Sequence, residues 1–295
     1  GNYEFIETQS FSFMSKRDGL KAVELFDAIH AGDIKALWVM GTNPAASLPR
    51  ADRVTAALRK LDLLVVSDVV ASNDTIRAGA HVLLPAAAWG EKDGTVTNSE
   101  RRISRQRAFM PPPGEARPDW WIVTEVARRM GHGDTFHYRA PVDVFREHAA
   151  LTTFENDGTR DLELGGLAEI SDAAYEALKP VQWPVRPGAT SGVTRMFADG
   201  RFFTASGRAT FAIPARPALA SATGDLHPLM LNTGRVRDHW HTMTRTGKSP
   251  RLAPHIEEPF VAVHPSDASR YGLEDDGLAR VATSHGIAML RVRVS

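Results

Sequence analysis

The chain has 295 residues, enough for about two domains, and its 43% hydrophobic and 24% charged residues are those of an ordinary globular protein. Lys plus Arg and Asp plus Glu each number 35, so no net field draws in nucleic acid or an anionic membrane surface, and any anion site has to be local. Cysteine is absent, which removes disulfides, thiolate metal ligands and a cysteine nucleophile, and no apolar run approaches the ~20 residues that span a bilayer.

Residues 1 to 20 are weakly patterned and carry no signal-peptide signature. Leu20 to His30 reads as a helix with Val23, Phe26 and Ile29 on one face and Gly32 as its stop. Ala36 to Met40 is a short apolar run, a buried strand, and Gly41-Thr42-Asn43-Pro44 then presents Asn43 at its carboxyl end, because Pro44 disfavours a helical conformation at Asn43. Ala51 to Leu61 is helical, Leu63 to Val66 is a second buried strand ending in Ser67-Asp68, and a short helix around Asp74 to Ala78 precedes a third strand, Val82 to Leu84. Apolar strands alternating with helices predict a parallel sheet covered on both faces, whose ligands bind beyond the carboxyl ends. Asp68 stands there, suited either to a guanine edge or ribose hydroxyls or to a turn or helix cap. No G-x-G-x-x-G is present.

Trp89 to Arg102 reads as a long loop or irregular hairpin, in which Lys92, Asn98 and Arg102 suit an anion or polar heterocycle, or a solvated charge cluster. After the rigid Pro111 to Gly114, Asp119 reads as the N-cap of a helix from Trp120 to Met130 with Ile122, Val126 and Met130 inward; capping alone would explain that Asp. Val142 to Ala149 and Ser171 to Leu178 are short helices, Pro180 to Gly192 a linker, Arg201 to Thr204 and Ala209 to Ile213 the arms of a hairpin, and Ala215 to Gly224 a domain boundary.

Leu229 to Leu231 predicts a strand leading into Thr233 to Gly247, T-G-R-V-R-D-H-W-H-T-M-T-R-T-G. This stretch is rich in Arg, Thr and His and has Asp238 as its one acid, which suits a ligand with many acceptor oxygens, such as a pyrophosphate, or else a solvated basic loop. His239 and His241 could share a metal, but spacing suggests no third ligand, and no G-x-S-x-G marks a hydrolase. Pro259 to Val263 is a strand, Ser266 caps a short helix stopped by Gly272, and Leu278 to Thr283 with Ile287 to Val294 form a hairpin. This half is mostly β, with a barrel as the expected form. The weakly patterned start and the end within an alternating pattern at Leu290 to Ser295 read as a piece of a longer protein.

Several stretches together carry a family resemblance: G-T-N-P at 41–44, S-D at 67–68, L-L-P-A-A-A-W-G-E-K-D-G-T-V-T-N-S-E-R-R at 83–102, P-D-W-W at 118–121, the 233–247 loop and H-P-S-D-A at 264–268. In order and spacing they resemble the molybdopterin-guanine-dinucleotide oxidoreductases of the dimethyl sulfoxide reductase superfamily, and within it the catalytic subunits of assimilatory nitrate reductases. The resemblance implies α/β plus mostly-β architecture: a Rossmann-like parallel-sheet domain in residues 1–135, a connecting segment in 136–225, and a truncated double-psi-type β-barrel in 226–295. It implies a molybdenum cofactor with two molybdopterin guanine dinucleotides, contacted by Asn43, Ser67, Asp68, Lys92 and Asp119 and wrapped by Thr233, Gly234, Arg235, Val236, Arg237, Asp238, His239, Trp240, His241 and Thr242. It also implies a cytoplasmic enzyme that reduces nitrate to nitrite, with electrons from a donor protein. The iron–sulfur cysteines and the molybdenum ligand would lie upstream, so no catalytic or metal-ligating residue is expected here and the piece alone would be inactive. A formate dehydrogenase α subunit and a non-catalytic nucleotide-binding module are the alternatives.

Overall fold

The computed structural model describes residues 19–215, 219 and 221–295. The chain divides into two compact units between Ala212 and Ile213.

The first unit opens with α1 (Ala22–Ala31), whose Phe26 and Ile29 are buried and whose end is fixed by Gly32 at φ 93, a left-handed conformation that glycine adopts without a side-chain clash. Strands β1 (Ala36–Met40), β2 (Leu63–Asp68) and β3 (Val82–Pro85) form a parallel sheet in the order β1-β2-β3, with Met40 opposite Ser67 and Asp68 opposite Pro85. The connections run through α2 (Pro44–Ser47), α3 (Ala51–Leu58) and α4 (Asp74–Arg77). Phe26, Ile29, Val54 and Leu58 from α1 and α3 close over Val39, Leu64 and Val66 as one core. The expected cover on both faces is met on one: Leu64 and Val66 are buried, while Leu63 remains 42% exposed.

A second cluster in the same unit is built on an antiparallel sheet of β4 (Gly94–Thr97), β5 (Arg102–Gln106) and β6 (Val181–Gln182). The stretch 89–102, expected as a long loop or irregular hairpin, holds a 3-10 turn at Trp89–Glu91 and then β4 and its turn into β5. The helices α5 (Asp119–Ala127), α6 (Pro141–Thr153) and α7 (Asp172–Glu176) follow. Ile103, Phe145, Ala149, Leu164 and Tyr175 form this cluster's core.

Several sequence expectations change here. Pro118 caps α5 and Asp119 is its first helical residue, which frees the Asp119 carboxylate for a side-chain partner. Met130 is 70% exposed, because α5 gives way at Arg128 to a π-helical turn with Gly131 at φ 92, and the helical periodicity breaks before Met130. Pro180 to Gly192 is no linker: it contains β6, and Val185 is fully buried. No strands form in residues 201–213, where Phe202 N donates to Gly207 O at 2.9 Å and Phe197 stacks on Phe202 with ring centroids 4.5 Å apart. The expected boundary at 215–224 falls partly outside the described residues.

In the second unit, Leu229 to Leu231 is not a strand. The sheet here comprises β7 (Phe260–Val263), β8 (Leu278–Thr283) and β9 (Gly286–Val294) in the order β7-β9-β8, with β7 parallel and β8 antiparallel to β9. Helix α8 (Pro265–Tyr271) is capped by His264, whose Nδ1 accepts from Ser266 N; Pro265 at the first helical position shifts the cap two residues before the expected Ser266. Gly272 ends it at φ 64. The architecture is mixed α/β with small sheets, none of them closed among the described residues.

Candidate functional site

The carboxyl edge of the parallel sheet continues past its strands through backbone bonds. Gly41 N donates to Ser67 O at 2.9 Å and Ala86 N to Asp68 O at 3.0 Å. Arg117 extends the row by bridging Ala86, its N donating to Pro85 O at 3.0 Å and its O accepting from Ala87 N at 2.8 Å. This row sets Asn43, Ser67, Asp68 and Asp119 along one edge, where open α/β sheets bind ligands. Lys92 joins it through an ion pair from Nζ to Asp119 Oδ2 at 2.7 Å.

The five residues are not equivalent. Ser67 is fully buried and its Oγ accepts from Trp38 Nε1 at 2.8 Å. Asn43 is 6% exposed; its Nδ2 donates to Asp74 Oδ2 at 3.0 Å, and its Oδ1 accepts from Thr75 N at 3.0 Å and Thr75 Oγ1 at 2.8 Å. These two face inward and brace the edge. Asp68, Lys92 and Asp119 keep accessible polar atoms, with the Lys92 and Asp119 side chains 28% and 42% exposed. Asn98 and Arg102 fold onto the Glu100 between them: Asn98 Nδ2 donates to Glu100 Oε1 at 3.2 Å and Arg102 Nε to the same oxygen at 2.7 Å. Arg102, then Asn98, hold the Glu100 carboxyl below its usual range. The sequence reading missed Asn73 and Thr75, whose side chains touch Asp68 and Asn43; the Asn-Asp-Thr run ahead of a short helix, a capping pattern, was the available signal.

In the second unit, Thr233 to Val236 run as coil. Arg237 Nε donates to Asp238 Oδ1 at 3.0 Å, and His255 Nδ1 lies 2.8 Å from Asp238 Oδ2. Arg237 and then His255 hold the Asp238 carboxyl below its usual range. Two members of the predicted set are therefore paired with each other. The Arg235 guanidinium lies 4.2 Å over the exposed Trp240 ring, which meets His241 edge-on. His241, Thr242 and Met243 adopt φ of 46, 57 and 60, three consecutive non-glycine residues in the left-handed region and a local store of strain. His239 is buried, with Nδ1 3.1 Å from Thr246 Oγ1 and Nε2 lacking a partner among the described residues.

The donor chemistry of each unit by itself fits a phosphate-bearing heterocycle: Lys92 with the carboxylates Asp68 and Asp119 in the first, and Arg235 with an orphaned imidazole nitrogen in a Thr- and Arg-rich loop in the second. No group of three or more His, Cys, Asp or Glu residues among those described could hold a metal. A cleft of about 790 Å³ beside α6, lined by Phe197, Phe202, Phe203 and His148, involves none of these residues.

The molybdopterin oxidoreductase family matches residues 3–129, and the molybdopterin dinucleotide-binding domain matches residues 229–295. The chain belongs to the molybdopterin oxidoreductases. Each of the two matched regions contains one of the polar clusters just described. A nitrate reductase of Klebsiella oxytoca is 52% identical over 284 residues, covering 95% of this chain and 32% of its own length. The assimilatory nitrate reductase catalytic subunit of Bacillus subtilis is 35% identical over 95% of the chain and 38% of its own length. An F420-dependent formate dehydrogenase α subunit of Methanocaldococcus jannaschii is 33% identical over 99% of the chain and 41% of its own length. The chain spans about a third of the length of the curated relatives it matches. Among solved structures, acetylene hydratase from Pelobacter acetylenicus shares the fold at a TM-score of 0.60 with 15% identity, over 92% of this chain and 37% of that one. No helix among the described residues is long and apolar enough to cross a membrane.

Proposed function

We propose that this chain is the cofactor-binding part of a molybdenum oxidoreductase that reduces nitrate to nitrite. The observation that carries this reading is the 52% identity to the Klebsiella nitrate reductase, well above the 33% to the methanogen formate dehydrogenase subunit at similar coverage. On this reading, residues 1–135 belong to a Rossmann-like domain, 136–225 connect, and 226–295 belong to a double-psi-type barrel whose closure needs strands beyond β7, β8 and β9. Asp68 and Asp119 recognise the guanine or ribose of one dinucleotide, and Lys92 meets its phosphates. Arg235, His239, Trp240, His241 and Thr242 contact pterin and phosphate, with Thr233, Gly234 and Val236 giving backbone. Arg237 and Asp238 keep the loop in shape through their own pair, and Asn43 and Ser67 brace the edge.

When bound, the molybdenum cofactor supplies the oxygen-atom and electron transfer; this chain binds and orients it. Its electrons come from a donor protein through an iron–sulfur cluster held by parts of the parent that this cysteine-free chain does not supply, and the parent is cytoplasmic. The second reading, a formate dehydrogenase α subunit, is favoured by the Methanocaldococcus relative matching across 99% of the chain. Turnover by the full-length protein decides: nitrite formation from nitrate with a reduced viologen is expected. Formate oxidation with nitrate inert would replace the first reading by the second.

A further inference from the structure

Asp68 ends β2, and the chain returns to it within one short loop. Asn73 Nδ2 donates to Asp68 Oδ2 at 2.9 Å. Asn73 is 3% exposed, and its amide cannot flip without loss, because Oδ1 caps α4 by accepting from Ile76 N at 2.8 Å. The other carboxylate oxygen, Asp68 Oδ1, accepts from Val69 N at 2.7 Å. A carboxylate offers about four lone-pair sites. One donor on each oxygen leaves one acceptor site on each, on a half-buried residue at the carboxyl edge of the sheet. The same turn fixes its neighbour, since Thr75 donates to Asn43 and Asp74 accepts from it.

Two acceptors held in one plane suit a planar edge with two adjacent N–H donors, the pattern of guanine N1–H and its exocyclic amine. A carboxylate free to turn about its side-chain bonds would have to be ordered at the moment of binding, and a fixed one would not. We propose that Asn73 is the positioning residue of this nucleotide site, locking the Asp68 carboxylate in the orientation that accepts a guanine edge. This rests on the reading of Asp68 as a nucleotide contact.

The test is a double-mutant cycle on the full 295-residue chain, with GDP as the probe, ADP as its control and calorimetry as the readout. Asn73→Ser keeps a capping oxygen for α4 and removes the donor that reaches Asp68. GDP binding should weaken roughly tenfold in Asn73→Ser, as for loss of a hydrogen bond to a charged group, and at least as much in Asp68→Ala. Asn73→Ser should then have no further effect, within about twofold, in the Asp68→Ala background. Asn73→Asp, which keeps a capping oxygen but sets a second carboxylate against Asp68, guards against misfolding of the Ser variant and should lose at least as much GDP affinity. If Asp68→Ala weakens GDP while both Asn73 variants bind it normally, or if their effects simply add, Asn73 only caps α4 and the proposal falls while the nucleotide reading stands. If the wild-type chain does not prefer GDP to ADP, or Asp68→Ala changes nothing, the nucleotide reading falls and takes the proposal with it.

Discussion

Asn43 commits both ends of its amide to the α4 turn, and its removal would leave the buried Thr75 N–H and hydroxyl without their shared acceptor. Asn43→Ala should therefore destabilise the chain by roughly 1–3 kcal/mol in urea unfolding, the cost of an unsatisfied buried donor. Lys92→Ala removes an ion pair whose members are partly exposed and should cost less than about 1 kcal/mol in the same assay. Asn43 also imposes a pH dependence. Its hydrogen bond, with Arg77 as the second lowering partner, holds the Asp74 carboxyl below its ordinary value of 3.8. A depressed folded value means that Asp74's contribution is complete above 3.8 and is lost as pH falls through the folded value beneath it. Wild-type stability should fall as the pH is taken below 3.8, and Asp74→Asn should flatten part of that drop. An unchanged slope would remove Asp74 from the account. Sequence alone placed Asn43 past the end of β1 but did not reveal its bonds to Thr75 and Asp74, because the strand–turn pattern reports position and not a side chain's partners. Asn73 escaped notice for the converse reason: its partner Asp68 is reached through a loop whose closure no periodicity reports.

Elements with a continuous apolar run or a clear cap were legible. The α1 face, the parallel pairing of the apolar strands β1, β2 and β3, and the β8–β9 hairpin follow from local pattern because each element's burial is set by its own residues. Those that depend on a distant partner were not. Residues 201–213 flank a Ser-Gly turn as the arms of a hairpin would, yet no strand among the described residues pairs with them, and an isolated hairpin is marginal in water. Pro180 to Gly192 has the composition of a linker, yet Gln182 and Val181 find β5. Gly192 permits this: a Cβ there would lie 1.6 Å from Gln182 O, a backbone atom that cannot swing aside. The segment after it is clasped by Arg101, which donates to Trp183 O and, at 3.3 and 3.1 Å, to Val193 O and Thr194 O. Gly192→Ala should push this segment off β6 at a cost of about 1–3 kcal/mol, the range for overpacking, with a lowered melting temperature and altered Trp183 fluorescence. A variant that melts like wild type would show that the close approach is not needed for the β5–β6 pairing.

At the level of the whole chain, binding and turnover separate. Its net charge is zero, so anion affinity has to come from local sets such as Lys92 and Arg235, and both units carry such a set. Electron entry is different. An iron–sulfur cluster is held by thiolates, and none of the 295 residues is Cys. The purified chain should thus release no nitrite from nitrate above a protein-free blank when supplied with reduced methyl viologen, under conditions where GDP still binds. The full-length protein should form nitrite in the same assay. On the proposed reading, which puts the molybdenum and cluster ligands outside this chain, loading it with molybdopterin cofactor should not by itself restore turnover. Nitrite produced by the chain alone would overturn this division and place a complete catalytic centre within residues 1–295.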